Sequence, residues 1–365
     1  MMTNAKVLKK AIPALLALLL ALTGSGALSE SVKATNISCE QETLPFWKEG
    51  SPALTSVMTF VRNVTDPDSE AYVEPSDRIA VFDFDGTLYG ERFPTYFDNC
   101  LFLQRALHDE SYAAAEDVRT YAEELESALM NGGSEPESPR STAQMAAECF
   151  AGMSVDEYRA YVRAFMERPA WGFSGMTYGE GFFQPMIALV QYLTDNDFIV
   201  FISSGSERLM VRELIVGKLD AWIPAYRVIG STFSLKATNQ GDKAGRSYTY
   251  APEDDVLMGG NLVVKNQKAN KVFSIVDEIG ASPVLVFGNS SGDLAMAEYC
   301  VQHGGKAYML LCDDVERDYG DPDEAAAFAV DCLDRGIETV SMRDAFETIY
   351  GESVTLVRQE LDDAA

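Results

Sequence analysis

Histidine is nearly missing from this 365-residue chain: only His108 and His303 are present. That leaves little room for a histidine-rich metal centre or a phosphohistidine mechanism. Basic residues are scarce as well, 29 Lys and Arg against 56 Asp and Glu, for a net charge of −27. Nucleic acid is therefore an unsuitable partner, because phosphate backbones are bound by clustered Lys and Arg. Anionic membrane surfaces are disfavoured for the same reason. The six cysteines, Cys39, Cys100, Cys149, Cys300, Cys312 and Cys332, include no CxxC pair, and their scatter speaks against a zinc site. Beyond the N-terminus no apolar run is long enough to span a bilayer. The chain is nonetheless rich in core-forming material. At 47% hydrophobic and 23% charged residues it is not disordered by composition. Its length suits one large domain or two smaller ones.

The first residues read as a secretory leader. Lys6, Lys9 and Lys10 form a basic start, Ala11 to Leu22 is apolar and uncharged, and Thr23-Gly24-Ser25-Gly26-Ala27 offers small residues for cleavage. The apolar run is shorter than the ~18 residues that a spanning helix needs. Cleavage after residue 27 is thus expected, with an uncleaved N-terminal membrane anchor as the alternative. The mature protein would be secreted or periplasmic, with no stable membrane association. Export also permits disulfides. Six cysteines allow fifteen pairings; Cys100 with Cys149 and Cys312 with Cys332 are the local candidates, and buried thiols are the other reading.

Residues 28–75 are polar with apolar patches and are expected to wrap the domain. From there the pattern becomes α/β. Ile79-Ala80-Val81-Phe82 reads as a buried strand, and further strands are expected at Phe198 to Ile202, Val228 to Gly230, Val284 to Phe287 and Ala307 to Leu311. Helices are expected between them, among them Phe183 to Leu193 with Pro185 in its first turn, and Ala269 to Ile279 stopped by Gly280. Residues 231–264 alternate like a small β-hairpin insertion. Alternating buried strands and helices point to a Rossmann-like parallel sheet covered on both faces.

Chemistry gathers at the carboxyl ends of these strands, where open α/β sheets bind ligands. The first strand ends in Asp83-Phe84-Asp85-Gly86-Thr87. Two carboxylates at positions i and i+2 project to one side of a strand and repel unless a cation lies between them. Mg²⁺ takes oxygen ligands of this kind. The second strand ends in Ser203-Ser204-Gly205-Ser206, and the fourth in Gly288-Asn289-Ser290-Ser291-Gly292-Asp293.

Asp83-Phe84-Asp85-Gly86-Thr87-Leu88 resembles the first motif, DxDGT, of the haloacid-dehalogenase-like hydrolase superfamily in its phosphatase form. Ser204 resembles the second motif, Lys271 the third, and Gly288 to Asp293 followed by Leu294 and Met296 the fourth. The resemblance spans roughly residues 78–312 and is nearest in flavour to the phosphoserine-phosphatase-like branch. It implies a core made of residues 76–90 and 180–365, with a helical cap at 91–179 inserted after the first core strand. It implies Asp83 as nucleophile and Asp85 as general acid and base. Thr87, Ser204, Gly205 and Lys271 would bind phosphate, aided by a helix that starts at Glu207. Mg²⁺ would be held by Asp83, Asp85 and the fourth motif. Ser203 competes with Ser204 for the second motif, and Lys265 and Lys268 compete with Lys271 for the third. The usual first acid of the fourth motif is Asn289 here, so whether Asn289 or Asp293 ligates the metal stays open.

The substrate implied is a small phosphate ester, read by the cap. Trp171, Phe173 and Tyr178, in a glycine-rich stretch at the cap–core return, are candidates for a pocket suited to a cationic leaving group; a packed hinge is the plainer reading. A phosphotransferase or another hydrolase on the same fold, or a non-catalytic secreted binding protein, are the alternatives to an Mg²⁺-dependent phosphomonoesterase. Only Asp83, Asp85 and Asp293 are expected to do chemistry. The remaining acids, including Glu123, Glu124, Glu126, Asp313, Asp314, Asp321 and Asp323, are expected on a solvated surface away from the site.

Overall fold

The computed structural model describes residues 43–91, 95–131, 133 and 135–357. The leader 1–27, residues 28–42 of the expected wrap, and Cys39 lie outside the described residues.

Helix α1 (Pro52–Thr65) opens the described chain, with the Ser51 side chain accepting from Leu54 N at its start. It buries Leu54, Val57, Met58, Val61 and Val64, so residues 43–75 contribute to the core as well as running along it. Trp47 is buried beside it, donating from Nε1 to Pro185 O at 2.8 Å. Strand β1 (Ile79–Phe82) follows and is buried at every position, as a central parallel strand should be. Four helices then intervene: α2 (Phe97–Leu103), α3 (Glu116–Met130), α4 (Thr142–Cys149) and α5 (Val155–Met166). Ser141 and Ser154 start the last two with reciprocal capping boxes to Gln144 and Glu157.

The chain returns through the short strand β2 (Phe173–Ser174) and helix α6 (Gln184–Asp195) to strand β3 (Ile199–Glu207). Helix α7 (Arg208–Leu214), strands β4 (Val228–Ala237) and β5 (Val256–Val264), and helix α8 (Ala269–Ser274) come next. A π-helical turn, Ile275–Ile279, prolongs α8 and ends at Gly280 in the left-handed conformation, φ 77°. Strand β6 (Leu285–Gly288), helix α9 (Leu294–Gln302), strand β7 (Lys306–Leu311), helix α10 (Pro322–Asp334), strand β8 (Glu338–Ser341), helix α11 (Met342–Ala345) and strand β9 (Thr355–Leu356) complete the described chain.

Seven strands form one sheet in the order β5-β4-β3-β1-β6-β7-β8. All neighbours are parallel except β4 and β5. The parallel majority with helices around it is the expected Rossmann-like α/β fold. Phe82, Phe287 and Tyr308 on β1, β6 and β7 stack across the middle of the sheet, at centroid distances of 4.8 and 5.1 Å. Rigid, dry central strands of this kind fix the loops that leave their ends.

Residues 231–264 carry an antiparallel hairpin: the far half of β4, a strand of ten residues whose near half pairs with β3, pairs with β5 from Thr232 and Val264 onward. Two expectations need correction. Neither Cys100 and Cys149 nor Cys312 and Cys332 form a disulfide; these four and Cys300 are buried thiols. Asp313 and Asp314 are buried, not solvated. Asp314 accepts from Glu316 N and Arg317 N and pairs with the Arg317 guanidinium, while Asp313 accepts from Arg343 N. Among the described residues no helix is long and apolar enough to cross a membrane.

Candidate active site

The carboxyl ends of β1, β3 and β6 meet around a cavity of about 480 Å³. Pairing of β1 with β6 runs one residue past the strand: Asp83 N donates to Phe287 O at 2.9 Å. The chain then turns at Gly86, φ 75°. A side chain there would be strained and would also collide with the Asn289 amide and lie 2.6 Å from the Glu91 carboxyl carbon. Glycine is thus required by conformation and by space.

Asp83 and Asp85 both line the cavity and are almost wholly buried. The Lys271 ammonium pairs with Asp83 Oδ1 and, at 2.6 Å, with Asp293 Oδ1. Burial opposes the charge of Lys271, but Asp293 and Asp83 outweigh it and hold the ammonium protonated. Burial, then the charge of Asp293, lifts Asp83 from the usual carboxylate range, and Lys271 opposes that rise. Asp85 is pushed up to about 8 by burial, then by Asp98 and by Asp83. Its Oδ2 accepts from Ser206 Oγ at 2.7 Å, and its buried Oδ1 has no hydrogen-bond partner.

Of the three lysines considered for the third motif, Lys271 is the one joined to Asp83. Lys265 also lines the cavity and donates to Gly205 O at 2.9 Å. Asp293 is the counter-ion of Lys271, and its Oδ2 accepts from Asn289 N and Ser290 N, both at 3.1 Å.

Several sequence candidates take other positions. Ser204 is fully buried, does not line the cavity, and accepts from Ser206 N at 2.9 Å. Ser203 is also buried, with Asn266 Nδ2 donating to it. Gly205 and Ser206 are the second-strand residues in the cavity. The cause is an irregularity in β3: Ser203 pairs with Ile229 but Glu207 with Ser231, so four steps along β3 match two along β4. Such a bulge re-aims side chains. The start of α7 is not open to a phosphate either, because the Glu207 carboxylate accepts from Met210 N there at 2.8 Å. Thr87 is fully buried and donates to Asn289 Oδ1 at 3.4 Å. Neither Thr87 nor Asn289 lines the cavity.

Trp171, Phe173 and Tyr178 do not line it. All three border a separate, largely apolar cavity of about 900 Å³. Tyr178 stacks on Phe165, and Phe173 packs edge-on against Tyr319 and Tyr350. Phe173 and Ser174 of this stretch also pair with Leu356 and Thr355 of β9.

The wall missed by sequence reasoning is acidic. Glu91, Asp98 and Glu135 join Asp83, Asp85 and Asp293 around the cavity, against Lys265 and Lys271. Excess acid therefore extends into the site. Asp98, Asn99, Glu135 and Thr142 come from the helical segment between β1 and β3. That segment is tied to the core by Glu213 on α7, which is buried and receives Arg159 and Arg163 of α5.

Among the described residues no three His, Cys, Asp or Glu side chains gather so as to hold a metal ion by themselves. The donors still suit Mg²⁺, which keeps several waters and is commonly bound through one or two carboxylates plus substrate phosphate. An unpartnered Asp85 oxygen beside Asp83 is consistent with that arrangement.

No curated protein sequence matches the chain. Solved structures of similar fold include a conserved protein of unknown function from Anaerococcus prevotii DSM 20548, at 12% identity, TM-score 0.48, covering 82% of this chain and 93% of that one. A cytosolic 5'-nucleotidase IIIB bound to cytidine is similar at 13% identity, TM-score 0.46, with coverage of 82% and 88%. A phosphoserine phosphohydrolase-like protein from Francisella tularensis subsp. tularensis SCHU S4 is similar at 16% identity, TM-score 0.35, with coverage of 64% and 87%. The sequence itself matches the family model of the haloacid dehalogenase-like hydrolases over residues 80–298, a span that opens in β1 and closes in α9. By that match, over more than half its length, the chain belongs to the haloacid dehalogenase-like hydrolase family.

Proposed function

We propose that this hydrolase is an exported, Mg²⁺-dependent phosphomonoesterase acting on a small phosphate ester. The observation that carries the reading is the division of labour between two adjacent buried carboxyls. Asp83 is paired with the Lys271 ammonium, which opposes its rise, whereas among the described residues Asp85 accepts only from the neutral Ser206 hydroxyl at 2.7 Å and is pushed up by burial, then by Asp98 and Asp83.

Asp83 attacks phosphorus as the ester P–O bond breaks, giving an aspartyl-phosphate. The leaving alkoxide takes the proton of Asp85. Asp85, now a carboxylate, removes a proton from the water that attacks the aspartyl-phosphate, releasing inorganic phosphate and restoring Asp83. Ser206 orients Asp85 throughout by donating to Oδ2. Lys271, itself nearly inaccessible, offsets negative charge at Asp83. Asp83 and the Asp85 backbone carbonyl would hold Mg²⁺, which when bound offsets charge on the phosphoryl oxygens. The acid-rich wall disfavours a second anionic group on the substrate and suits a neutral or cationic leaving group. Residues of the α2–α5 segment on that wall support a cap that reads the leaving group. Export rests on the leader, and Cys39 and the cleavage site belong to that part of the proposal.

The test is turnover of p-nitrophenyl phosphate with and without EDTA. Activity is expected to vanish with EDTA and return with Mg²⁺, and Asp83→Asn is expected to be folded and inactive. Turnover that survives EDTA removes the metal from the reading, and an active Asp83→Asn removes the nucleophile.

A further inference from the structure

The fourth motif leaves a gap. Its first acid is replaced by Asn289, and the structure turns that amide away from the cavity. Asn289 Oδ1 accepts from Thr87, and Nδ2 donates to Glu91 Oε1 at 2.7 Å. Asp293 does not fill the gap, since it pairs with Lys271 and accepts from the loop amides. The loop after β1 does bring an acid to the place. Glu91 lines the same cavity as Asp83 and Asp85. Its carboxyl carbon sits against the bare face of Gly86, beside the Asn289 amide. Gly86 directly follows Asp85, so the Glu91 carboxyl group packs against the residue next to Asp85.

We propose that Glu91, held by Asn289, supplies the negative charge that the fourth motif lacks at the cation site. This rests on the Mg²⁺-dependent reading above. Asn289 then acts as a positioning residue: its amide donates to Glu91, which an aspartate at that position would repel. The acid and the amide have in effect exchanged places across one hydrogen bond. A charge near a cation raises its affinity, and groups that orient a metal's ligands are commonly worth about 10- to 100-fold in metal affinity.

The experiment measures Mg²⁺ binding directly, by calorimetry on the folded protein without substrate. Glu91→Gln keeps the shape and is expected to weaken the apparent Kd for Mg²⁺ by about 10- to 100-fold. The double variant Glu91→Gln/Asn289→Asp moves the carboxylate to the other side of the same hydrogen bond. It is expected to return the Kd to within about threefold of the parent. Circular dichroism checks that each variant is folded. An unchanged Kd in Glu91→Gln overturns the proposal, as does a loss that the double variant fails to restore. A Glu91→Gln protein with parental Mg²⁺ affinity but raised KM assigns Glu91 to substrate and also overturns it. If the parent protein binds no Mg²⁺ and ignores EDTA, the metal reading itself fails, and the proposal with it; the parent control separates that case from the others.

Discussion

Lys271→Met removes the ammonium that joins Asp83 to Asp293 while keeping a chain of similar length in the core. Lys271 is nearly inaccessible, and both of its acid partners are buried. Deleting one member of a buried ion pair costs about 3–5 kcal/mol, because the remaining charge is stranded. Here two carboxylates are left facing each other, so the upper part of that range is expected near pH 8. The loss must also depend on pH. Asp83 is already lifted by burial and by Asp293, with Lys271 holding it down. Without the lysine its folded-state pKa rises further above the unfolded one. A carboxyl raised in this way stabilises the fold when protonated, and that contribution is lost as pH increases through the folded value. The deficit of the variant is therefore expected to shrink to about 1–2 kcal/mol near pH 5. Urea midpoints at several pH values give the comparison, with slopes checked for constancy. A deficit below about 1 kcal/mol at pH 8, or one that does not change with pH, would refute the stranded-charge reasoning.

Two further outcomes follow from the geometry. Gly86→Ala forces a side chain into a left-handed turn already filled by Asn289 and Glu91; a loss of about 1–3 kcal/mol in unfolding free energy is expected, together with loss of turnover. Glu207 is lifted to about 7 by burial, against the pull of its hydrogen bonds from Leu209 N and Met210 N. The unfolded chain ionises near 4.5 and the folded one near 7, so stability falls as pH rises through that window, by on the order of 3 kcal/mol. Glu207→Gln, which keeps an acceptor for Met210 N, is expected to flatten that part of a melting-temperature profile; an unchanged slope between those pH values counts against the assignment.

The parts of the site that were legible in the sequence are those set by local pattern. A four-residue apolar strand followed by two acids and a glycine announces Asp83 and Asp85, whereas Lys271 stood among three competing lysines until its pairing with Asp83 separated it from Lys265 and Lys268. Ser206 was not legible, because a bulge between Ser203 and Glu207 decides which serine faces the cavity. Glu91 was hidden for another reason. It lies in an irregular stretch with no periodicity, and only the turn at Gly86 brings it to Asn289. The aromatic stretch around Trp171 does border a cavity, but one other than that of Asp83, a placement that composition alone does not carry. The hairpin at 231–264 showed the right alternation, but its continuity with β4 is a matter of long-range pairing. The acidic wall was invisible because Asp98 and Glu135 come from segments far apart in sequence.

The central claim is that Asp83 carries the phosphoryl group. Rapid acid quenching during turnover of p-nitrophenyl phosphate, followed by peptide mass analysis, tests it most directly. One phosphoryl group on the peptide containing Asp83, absent from Asp83→Asn, is the expected result. Steady turnover with no label on Asp83, or a label on another residue such as Ser206, would contradict it.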